Sequence, residues 1–142
     1  MTTKEKLLAL LEDSKGTFFS GEEIARTLQV SRAAVWKAVN ALREDGYTID
    51  AATNKGYRLS PDSDILSPQG IRRFLKPEYR DLDLTVLPTV PSTNALVREK
   101  ANQGRPEGCV IVACEQTAGR GRYGRQFFSP VDSGVYLSLL LR

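Results

Sequence analysis

A short stretch of glycine and arginine contains the residue types best suited to chemistry in this chain. It reads Gly119-Arg120-Gly121-Arg122-Tyr123-Gly124-Arg125 and is called the arginine loop below. The glycines allow tight turns and expose backbone N–H groups, and the three guanidinium groups can form charge-assisted hydrogen bonds to carboxylate or phosphate oxygens. Residues 119–142 contain four Lys or Arg and one acidic residue, so the net charge of +3 is concentrated here. The arginine loop is therefore predicted to bind an anion.

The residue types of the arginine loop leave two other interpretations open. The loop is not a P-loop, because no Gly-Lys-Ser/Thr sequence follows its glycines, and no helical pattern follows them as it does in a dinucleotide-binding fold. A flexible Arg/Gly segment that binds RNA without sequence preference is one alternative. A transcription regulator whose second domain only senses a small anionic ligand is the other.

The composition excludes several kinds of active site. The 142 residues include no histidine, which rules out serine–histidine catalysis and histidine-ligated metals. The two cysteines, Cys109 and Cys114, are too few for a disulfide scaffold or a four-cysteine zinc site. No apolar run approaches the roughly 18 residues that cross a bilayer, and the N-terminus lacks the pattern of a secretory signal. We therefore expect a cytoplasmic protein without metal ligands or a membrane segment.

Three amphipathic segments in the first sixty residues predict a helix-turn-helix. Apolar residues recur at helical spacing over residues 3–12, 20–28 and 31–45. The second and third helices are separated by only a short connection, which is typical of helix-turn-helix folds. The predicted N-caps are Thr2 or Thr3, Ser20, which Glu23 could complete as a capping box, and Ser31; Gly46 is the predicted stop of the third helix.

A hairpin is predicted to follow the third helix. Apolar and polar residues alternate on both sides of the turn residues 53–56, which is the pattern of a two-stranded wing. The third helix and this wing would together form a DNA-binding face, because short or hydrogen-bonding side chains at the start of a helix let it approach base edges closely. The candidate DNA-binding residues are Ser31, Arg32, Ala33, Trp36 and Lys37 on the helix, and Lys55 and Arg58 on the wing.

The same helical face has a simpler interpretation. Helix-turn-helix folds also make protein–protein contacts, and arginine and lysine on an outer face are often only solvated. Trp36 is predicted to be largely exposed, and it either contacts DNA or covers the wing.

The rest of the chain predicts a linker followed by mixed α/β structure. Residues 61–67 begin with proline and small polar or acidic residues, and Ser67 and Pro68 are a cap and first turn for a short helix to residue 74. Strands are predicted over 84–87, 110–113 and 135–141, with a helix over 93–102 that Gly104 ends. The last strand is apolar enough for the interior of a sheet, so we expect the sequence to be the N-terminal part of a longer protein.

The motifs together resemble a known family. The arginine loop, with Phe128-Ser129-Pro130 after it and Ser92-Thr93-Asn94 before it, is similar to the biotin protein ligases. The start of the third helix, Ser31-Arg32-Ala33-Ala34, and the wing sequence Lys55-Gly56-Tyr57-Arg58-Leu59 resemble the regulatory subgroup that also represses biotin operons. The resemblance implies an α+β protein: a winged helix-turn-helix at 1–60, a linker at 61–67, and at 68–142 the first part of a mixed α/β catalytic domain of the class II synthetase-like type.

The resemblance also implies a two-step reaction and a set of site residues. Biotin and ATP, with magnesium, would give biotinyl-5′-AMP and pyrophosphate, and biotin would pass to a lysine of the biotin carboxyl carrier protein of acetyl-CoA carboxylase. The adenylate would act as corepressor by promoting a homodimer that binds operator DNA. The implied biotin-binding residues are Ser92, Thr93, Asn94, Gln116, Gly119, Arg120 and Arg122; Arg120 and Arg122 would be catalytic, and Arg122, Arg125 and Phe127 would bind the nucleotide.

The sequence departs from the family pattern in two ways. Phe127 stands where the family commonly has a tryptophan that packs on adenine; a phenyl ring can stack, but it lacks the indole N–H donor. The later lysine-bearing segment and small barrel of the family do not occur in these 142 residues. We therefore expect this chain alone to be inactive as a ligase.

Overall fold

The computed structural model describes residues 1–142 and divides them into two compact units, Met1–Phe74 and Leu75–Arg142. The first unit is a winged helix-turn-helix and the second is an α/β unit. The predicted domain boundary at residue 68 lies before the break between these units, because residues 68–74 are part of the first one.

The first unit begins with the three predicted helices: α1 (Thr3–Asp13), α2 (Gly21–Leu28) and α3 (Arg32–Glu44). Thr2 and Glu5 form a complete capping box at α1. At α2 and α3 the hydroxyl groups of Ser20 and Ser31 accept from the backbone N–H three residues on, at 3.0 and 3.1 Å. The reciprocal bond predicted from Glu23 is absent, so only the serine half of that capping box forms.

The core of the first unit is formed by the apolar faces of these helices. The predicted inward positions of α3 are buried, and Trp36 on the opposite face is 59% exposed, as expected. Because the inward side chains of α3 are buried against the other helices, its outer face is oriented toward solvent. The fully or almost fully buried side chains include Leu7, Leu11, Ile24, Val35, Val39, Leu42 and Leu59.

The predicted wing forms from strands β1 (Ile49–Ala52) and β2 (Gly56–Leu59), which pair antiparallel. Phe19 adds one more pair to this sheet: its N–H and C=O exchange 2.8 Å hydrogen bonds with the backbone of Tyr57. Gly56 has φ +93°, and a Cβ at this position would lie 2.0 Å from the Phe19 carbonyl oxygen. The wing therefore requires glycine at its turn and is held on the α1–α2 connection.

The segment after the wing packs back on α1. Ser67 caps a short helix, α4 (Pro68–Arg72), by accepting from the Gly70 N–H at 2.9 Å. Its hydroxyl also lies 3.4 Å from a carboxylate oxygen of Glu12, which is 5% exposed, and Arg73 donates to the Glu12 carbonyl. Residues 67–73 are thus anchored to the helix-turn-helix.

The second unit is a mixed three-stranded sheet with one helix. After a 3₁₀ turn at Pro77–Tyr79, strand β3 (Asp83–Val90) leads to α5 (Thr93–Asn102) and β4 (Cys109–Gln116), and β5 (Tyr136–Leu139) comes last. The sheet order is β3–β4–β5, with β3 and β4 parallel and β4 and β5 antiparallel. Helix α5 covers one face through Val97, against Cys109 and Ile111 of β4.

The strand predicted at the end of the sequence is confirmed as β5. Within residues 1–142 it lies at the edge of the sheet, with Leu137 and Leu139 61 and 45% exposed, and Leu141 just after it is 73% exposed. No helix is long and apolar enough to span a membrane.

Candidate functional site

The parallel pair in the second unit brings several predicted residues to one edge of the sheet. Thr93 begins α5 just after β3 ends, and Gln116 is the last residue of β4, opposite Val90. Because ligand sites in α/β units lie at the carboxyl ends of parallel strands, this edge is the expected place for one. A cleft of about 360 Å³ opens here, called the ligand cleft below, and is lined by Ser92, Thr93, Asn94, Gln116, Arg120, Phe127, Val135, Tyr136 and Leu137.

Hydrogen bonds fix the polar wall of the ligand cleft. The Thr93 backbone N–H donates to Gln116 Oε1 at 2.9 Å. The Thr93 hydroxyl lies 3.2 Å from the same oxygen and 2.9 Å from Ser138 Oγ, which donates to Asn94 Oδ1 at 3.0 Å. A single hydroxyl proton on Thr93 serves one of these two oxygens at a time. The wall therefore presents oriented hydroxyl and amide groups of the kind that bind a neutral polar ring.

Ser92 has a structural role at the same place. It is 6% exposed, and its hydroxyl caps α5 by accepting from the Ala95 N–H at 3.4 Å. The predicted biotin-binding residues Ser92, Thr93 and Asn94 thus lie on the first turn of one helix.

The arginine loop folds as a closed hairpin beside the ligand cleft. The Phe127 N–H donates to the Gly119 carbonyl at 2.8 Å, and the Gly121 N–H donates to the Arg125 carbonyl at 2.7 Å. Tyr123 and Gly124 at its tip have φ values of +56° and +73°. Gly119 is buried, and a Cβ there would lie 2.5 Å from the Phe127 carbonyl oxygen. The base of the loop therefore closes only with glycine at this position.

The three arginines of this loop are exposed and form no ion pair or side-chain hydrogen bond. Arg120 lines the ligand cleft, whereas Arg122 and Arg125 lie outside its lining. The structure thus brings Arg120 together with Thr93, Gln116 and Phe127, and leaves the other two guanidinium groups available for an anion that extends past the cleft. Phe127 is 54% exposed and lines the ligand cleft.

Two serines that hold these side chains were not among the predicted site residues, although Ser129 belongs to the Phe128-Ser129-Pro130 motif. Ser129 is 2% exposed, accepts from Gln116 Nε2 at 3.0 Å and donates to the Phe127 carbonyl at 3.1 Å. Ser138, on β5, bridges Thr93 and Asn94. A serine in a loop or on an edge strand carries no periodic signal, and only the pairing of distant segments places these two hydroxyl groups here.

A second candidate surface lies in the first unit, between α3 and the wing. A cleft of about 770 Å³ is lined by Arg32, Ala33 and Trp36 of α3, and by wing residues Ala51, Thr53 and Asn54. Ser31 and Lys37 are exposed beside it. Glu22 of α2 also lines this cleft, so its charge is mixed. The predicted helix residues thus share one solvent-facing surface.

The two wing cations are already engaged by groups of the first unit. Arg58 Nε lies 2.8 Å from Asp50 Oδ2 on the neighbouring strand, and its guanidinium lies 4.7 Å from the Phe18 ring centre. Lys55 Nζ lies 5.9 Å from the same ring centre. The Asp50 carboxylate is thus a competitor for any phosphate that Arg58 binds, whereas Lys55 has no acidic partner.

No group of three or more His, Cys, Asp or Glu side chains is placed to hold a metal ion.

Comparison with known families matches both units. Residues 3–58 match a model described as an HTH domain, and residues 86–142 match the biotin/lipoate A/B protein ligase family. The chain carries an HTH domain followed by the start of a biotin ligase domain. The HTH domain contains the surface between α3 and the wing, and the biotin ligase domain contains the ligand cleft and the arginine loop.

The chain also aligns over nearly its whole length with bifunctional ligase/repressors. The chain is 40% identical over 141 residues to the bifunctional ligase/repressor BirA of Bacillus subtilis (strain 168), and 36% identical over 141 residues to the protein of that name from Escherichia coli (strain K12). The BirA of Salmonella typhimurium (strain LT2) is 37% identical over 136 residues. These alignments cover 99, 99 and 96% of this chain and 43, 42 and 40% of the relatives. The chain therefore spans less than half the length of the relatives it matches.

Proposed function

We propose that this chain provides the DNA-binding domain and the biotin-binding part of a bifunctional biotin ligase and biotin operon repressor. The observation that carries the proposal is the ligand cleft: oriented hydroxyl and amide groups line it beside an arginine that has no acidic partner. The similarity to ligase/repressors over 99% of the chain supports the same function.

In this proposal the polar wall holds the biotin ring. Thr93, Asn94 and Gln116 would bind the ureido edge, with Ser92 orienting the first turn of α5. Arg120, at the rim of the cleft, and Gly119, at the base of the loop, would place a guanidinium and a closely approaching backbone beside the biotin carboxylate.

The arginine loop would then serve adenylation. A biotin carboxylate oxygen attacks the α-phosphorus of ATP, a C–O–P linkage forms, and pyrophosphate leaves with the electrons of the broken P–O bond. Two anions must approach each other in this step, so Arg120 and Arg122 would stabilise the charge that develops on the phosphoryl oxygens. Arg122, Arg125 and the partly exposed ring of Phe127 would bind the nucleotide, whose phosphates would carry the magnesium ion.

The repressor function would use the surface between α3 and the wing. Arg32, Ala33 and Trp36 would face the base edges of operator DNA, and Ser31, Lys37 and Lys55 would contact phosphates. Arg58 would reach a phosphate only by leaving Asp50. Because operator DNA lies in the cytoplasm, the protein would act there.

Biotinyl-5′-AMP would be both the intermediate that donates biotin to a carrier-protein lysine and the corepressor that promotes a homodimer on a palindromic operator.

The decisive experiment separates a ligase from a regulator that only senses an anion. The polypeptide, extended to the length of its relatives, is given biotin, ATP and magnesium, and pyrophosphate release is measured. We expect release that requires biotin and is strongly reduced by Arg120→Ala. Saturable binding of biotin without pyrophosphate would favour the sensor, and salt-sensitive RNA binding that depends on residues 119–125 would favour the RNA-binding alternative.

A further inference from the structure

The Gln116 amide is held from two sides by hydrogen bonds. Thr93 N–H donates to its oxygen at 2.9 Å, and its nitrogen donates to Ser129 Oγ at 3.0 Å. The terminal torsion of a glutamine is broad, so one contact fixes which end is the oxygen but leaves the amide plane free to turn. The second contact fixes that plane.

Ser129 is itself held firmly. It is 2% exposed, and its hydroxyl accepts from Gln116 and donates to the Phe127 carbonyl at 3.1 Å. Its carbonyl accepts from the Gln116 backbone N–H at 3.0 Å, so the two residues are joined by both main chain and side chain. The hydroxyl has one proton, which goes to Phe127, and therefore it can only accept from Gln116.

Ser129 does not line the ligand cleft, whereas Gln116 does. The closed base of the arginine loop reaches the same serine, because a Cβ on Gly119 would lie 2.7 Å from Ser129 Oγ. Any effect of Ser129 on a ligand must therefore pass through Gln116 or through the base of the loop.

We propose that Ser129 is a positioning residue: it fixes the plane of the Gln116 amide so that the second Nε2 proton points into the ligand cleft, and it links that orientation to closure of the arginine loop. The ligand it prepares for is a neutral hydrogen-bond acceptor such as a ureido carbonyl. This role in ligand binding rests on the proposed biotin site, but the orientation of the amide does not.

The first arm of the test needs no ligand. In ¹⁵N NMR spectra we expect the Gln116 side-chain NH₂ protons to exchange about tenfold faster with water in Ser129→Ala, since removal of one hydrogen-bond partner is worth roughly 1.4 kcal/mol. Ser129→Cys keeps a side chain of similar size with a weak acceptor, so its Gln116 NH₂ exchange rate should lie between those of the wild type and Ser129→Ala. Ser133→Ala is the matched control, because Ser133 donates to a nearby carbonyl at 2.9 Å but does not contact Gln116. Unchanged exchange in folded Ser129→Ala and Ser129→Cys would overturn the proposal.

The second arm uses biotin and calorimetry. We expect Ser129→Ala to weaken biotin binding about tenfold in the wild-type background and to have no further effect in a Gln116→Ala background, since the serine would act through the glutamine. Equal losses in both backgrounds would overturn the ligand-positioning role. If the wild-type chain binds no biotin, the proposed function fails in this chain, and the exchange measurement alone decides the role of Ser129.

Discussion

At the scale of single residues, Gly119 allows the base of the arginine loop to close because it has no Cβ. Its carbonyl accepts from the Phe127 N–H, and its missing Cβ leaves room for the Phe127 carbonyl and the Ser129 hydroxyl. The side chains of the arginines that follow form no ion pair, so this contact and the backbone hydrogen bonds across the loop position them. Glycine content alone predicts a mobile loop, whereas the structure gives this glycine a packing role.

Gly119→Ala is predicted to open the base of the arginine loop. A Cβ would lie 2.5 Å from one backbone oxygen, and overpacking of this kind costs about 1–3 kcal/mol in the free energy of unfolding. Chemical denaturation measures the loss, and faster amide exchange at Phe127 locates it. Gly121→Ala is the control, because its Cβ would meet nothing closer than 3.5 Å, and it should change stability by less than about 0.5 kcal/mol. Equal effects of the two substitutions would contradict this account.

The two cysteines should differ in reactivity although they lie on the same strand. Burial raises the pKa of the Cys109 thiol, and the nearby Asp83 carboxylate raises it further, while Cys114 is half-buried. Since the thiolate is the nucleophile, Cys109 should stay unreactive at pH 8 and become reactive only as pH rises toward its raised pKa or as the protein unfolds.

Alkylation with iodoacetamide followed by peptide mass spectrometry tests this order. We expect Cys114 to be modified first at pH 8 and both cysteines to be modified equally in denaturant. The folded-state pKa of Cys109 is raised, so its contribution to stability is present below the ordinary thiol pKa and falls as the pH increases above it. Modification of Cys109 before Cys114 in the native protein would refute the assignment.

At the scale of elements, the wing depends on one turn and one neighbouring strand segment. Gly56 closes the turn in a conformation that favours glycine, and the same residue packs against the backbone of Phe19. The position of the wing relative to α3 therefore depends on contacts with the α1–α2 connection.

Gly56→Ala should accordingly be among the most damaging substitutions in the first unit. Its Cβ would lie 2.0 Å from the Phe19 carbonyl oxygen, and its positive φ adds strain, so we expect a loss of about 3 kcal/mol or more in the free energy of unfolding. Gly124→Ala has a similar positive φ but open space around the Cβ, so it isolates the backbone strain at about 1 kcal/mol. Thermal unfolding followed by circular dichroism compares the two variants. Similar losses of stability in both would show that the contact with the Phe19 carbonyl oxygen is not what makes Gly56→Ala damaging.

The sequence predicts elements best where local signals bound them on both sides. Helix α5 has the predicted bounds, 93–102, because Ser92 caps its start and Gly104 follows its end. Strand β3 runs to Val90 rather than to residue 87, since its last residues are held by pairing with Glu115 and Gln116, which no local pattern reveals. The residue types that line the ligand cleft follow from motifs. Ser129 and Ser138 lie outside that lining, and they reach Gln116 and Asn94 only through pairing of distant segments.

At the scale of the whole molecule, charge is distributed differently in the two units. Residues 1–60 carry nine Lys or Arg and eight Asp or Glu, whereas residues 119–142 carry the excess of positive charge. A nearly neutral winged helix can bind DNA only through the arrangement of its cations, because its net charge gives little general attraction. Substitution of the exposed cations Arg32 and Lys37 on α3 tests whether their position on this helix determines DNA binding.

The two cations are predicted to have separable effects on DNA binding. Arg32→Ala should weaken binding to operator DNA about tenfold or more and leave biotin binding unchanged, since a base-contacting arginine is worth about 1–3 kcal/mol. Lys37→Ala should weaken binding to any duplex and lower the slope of log K against log[salt] by about 1, the value for one lost phosphate contact. Fluorescence anisotropy of labelled duplexes at several salt concentrations measures both quantities.

Lys6→Ala provides the control for net charge. Lys6 is an exposed cation on α1, it lies outside the cleft between α3 and the wing, and its removal changes the charge of the unit by the same amount. If position on the α3 face decides binding, this variant should keep the wild-type salt slope and affinity within about twofold, because a charge that makes no phosphate contact releases no counterion. A slope that falls equally in all three variants would mean that the first unit attracts DNA through its total charge, and the role of α3 as the reading helix would have to be abandoned.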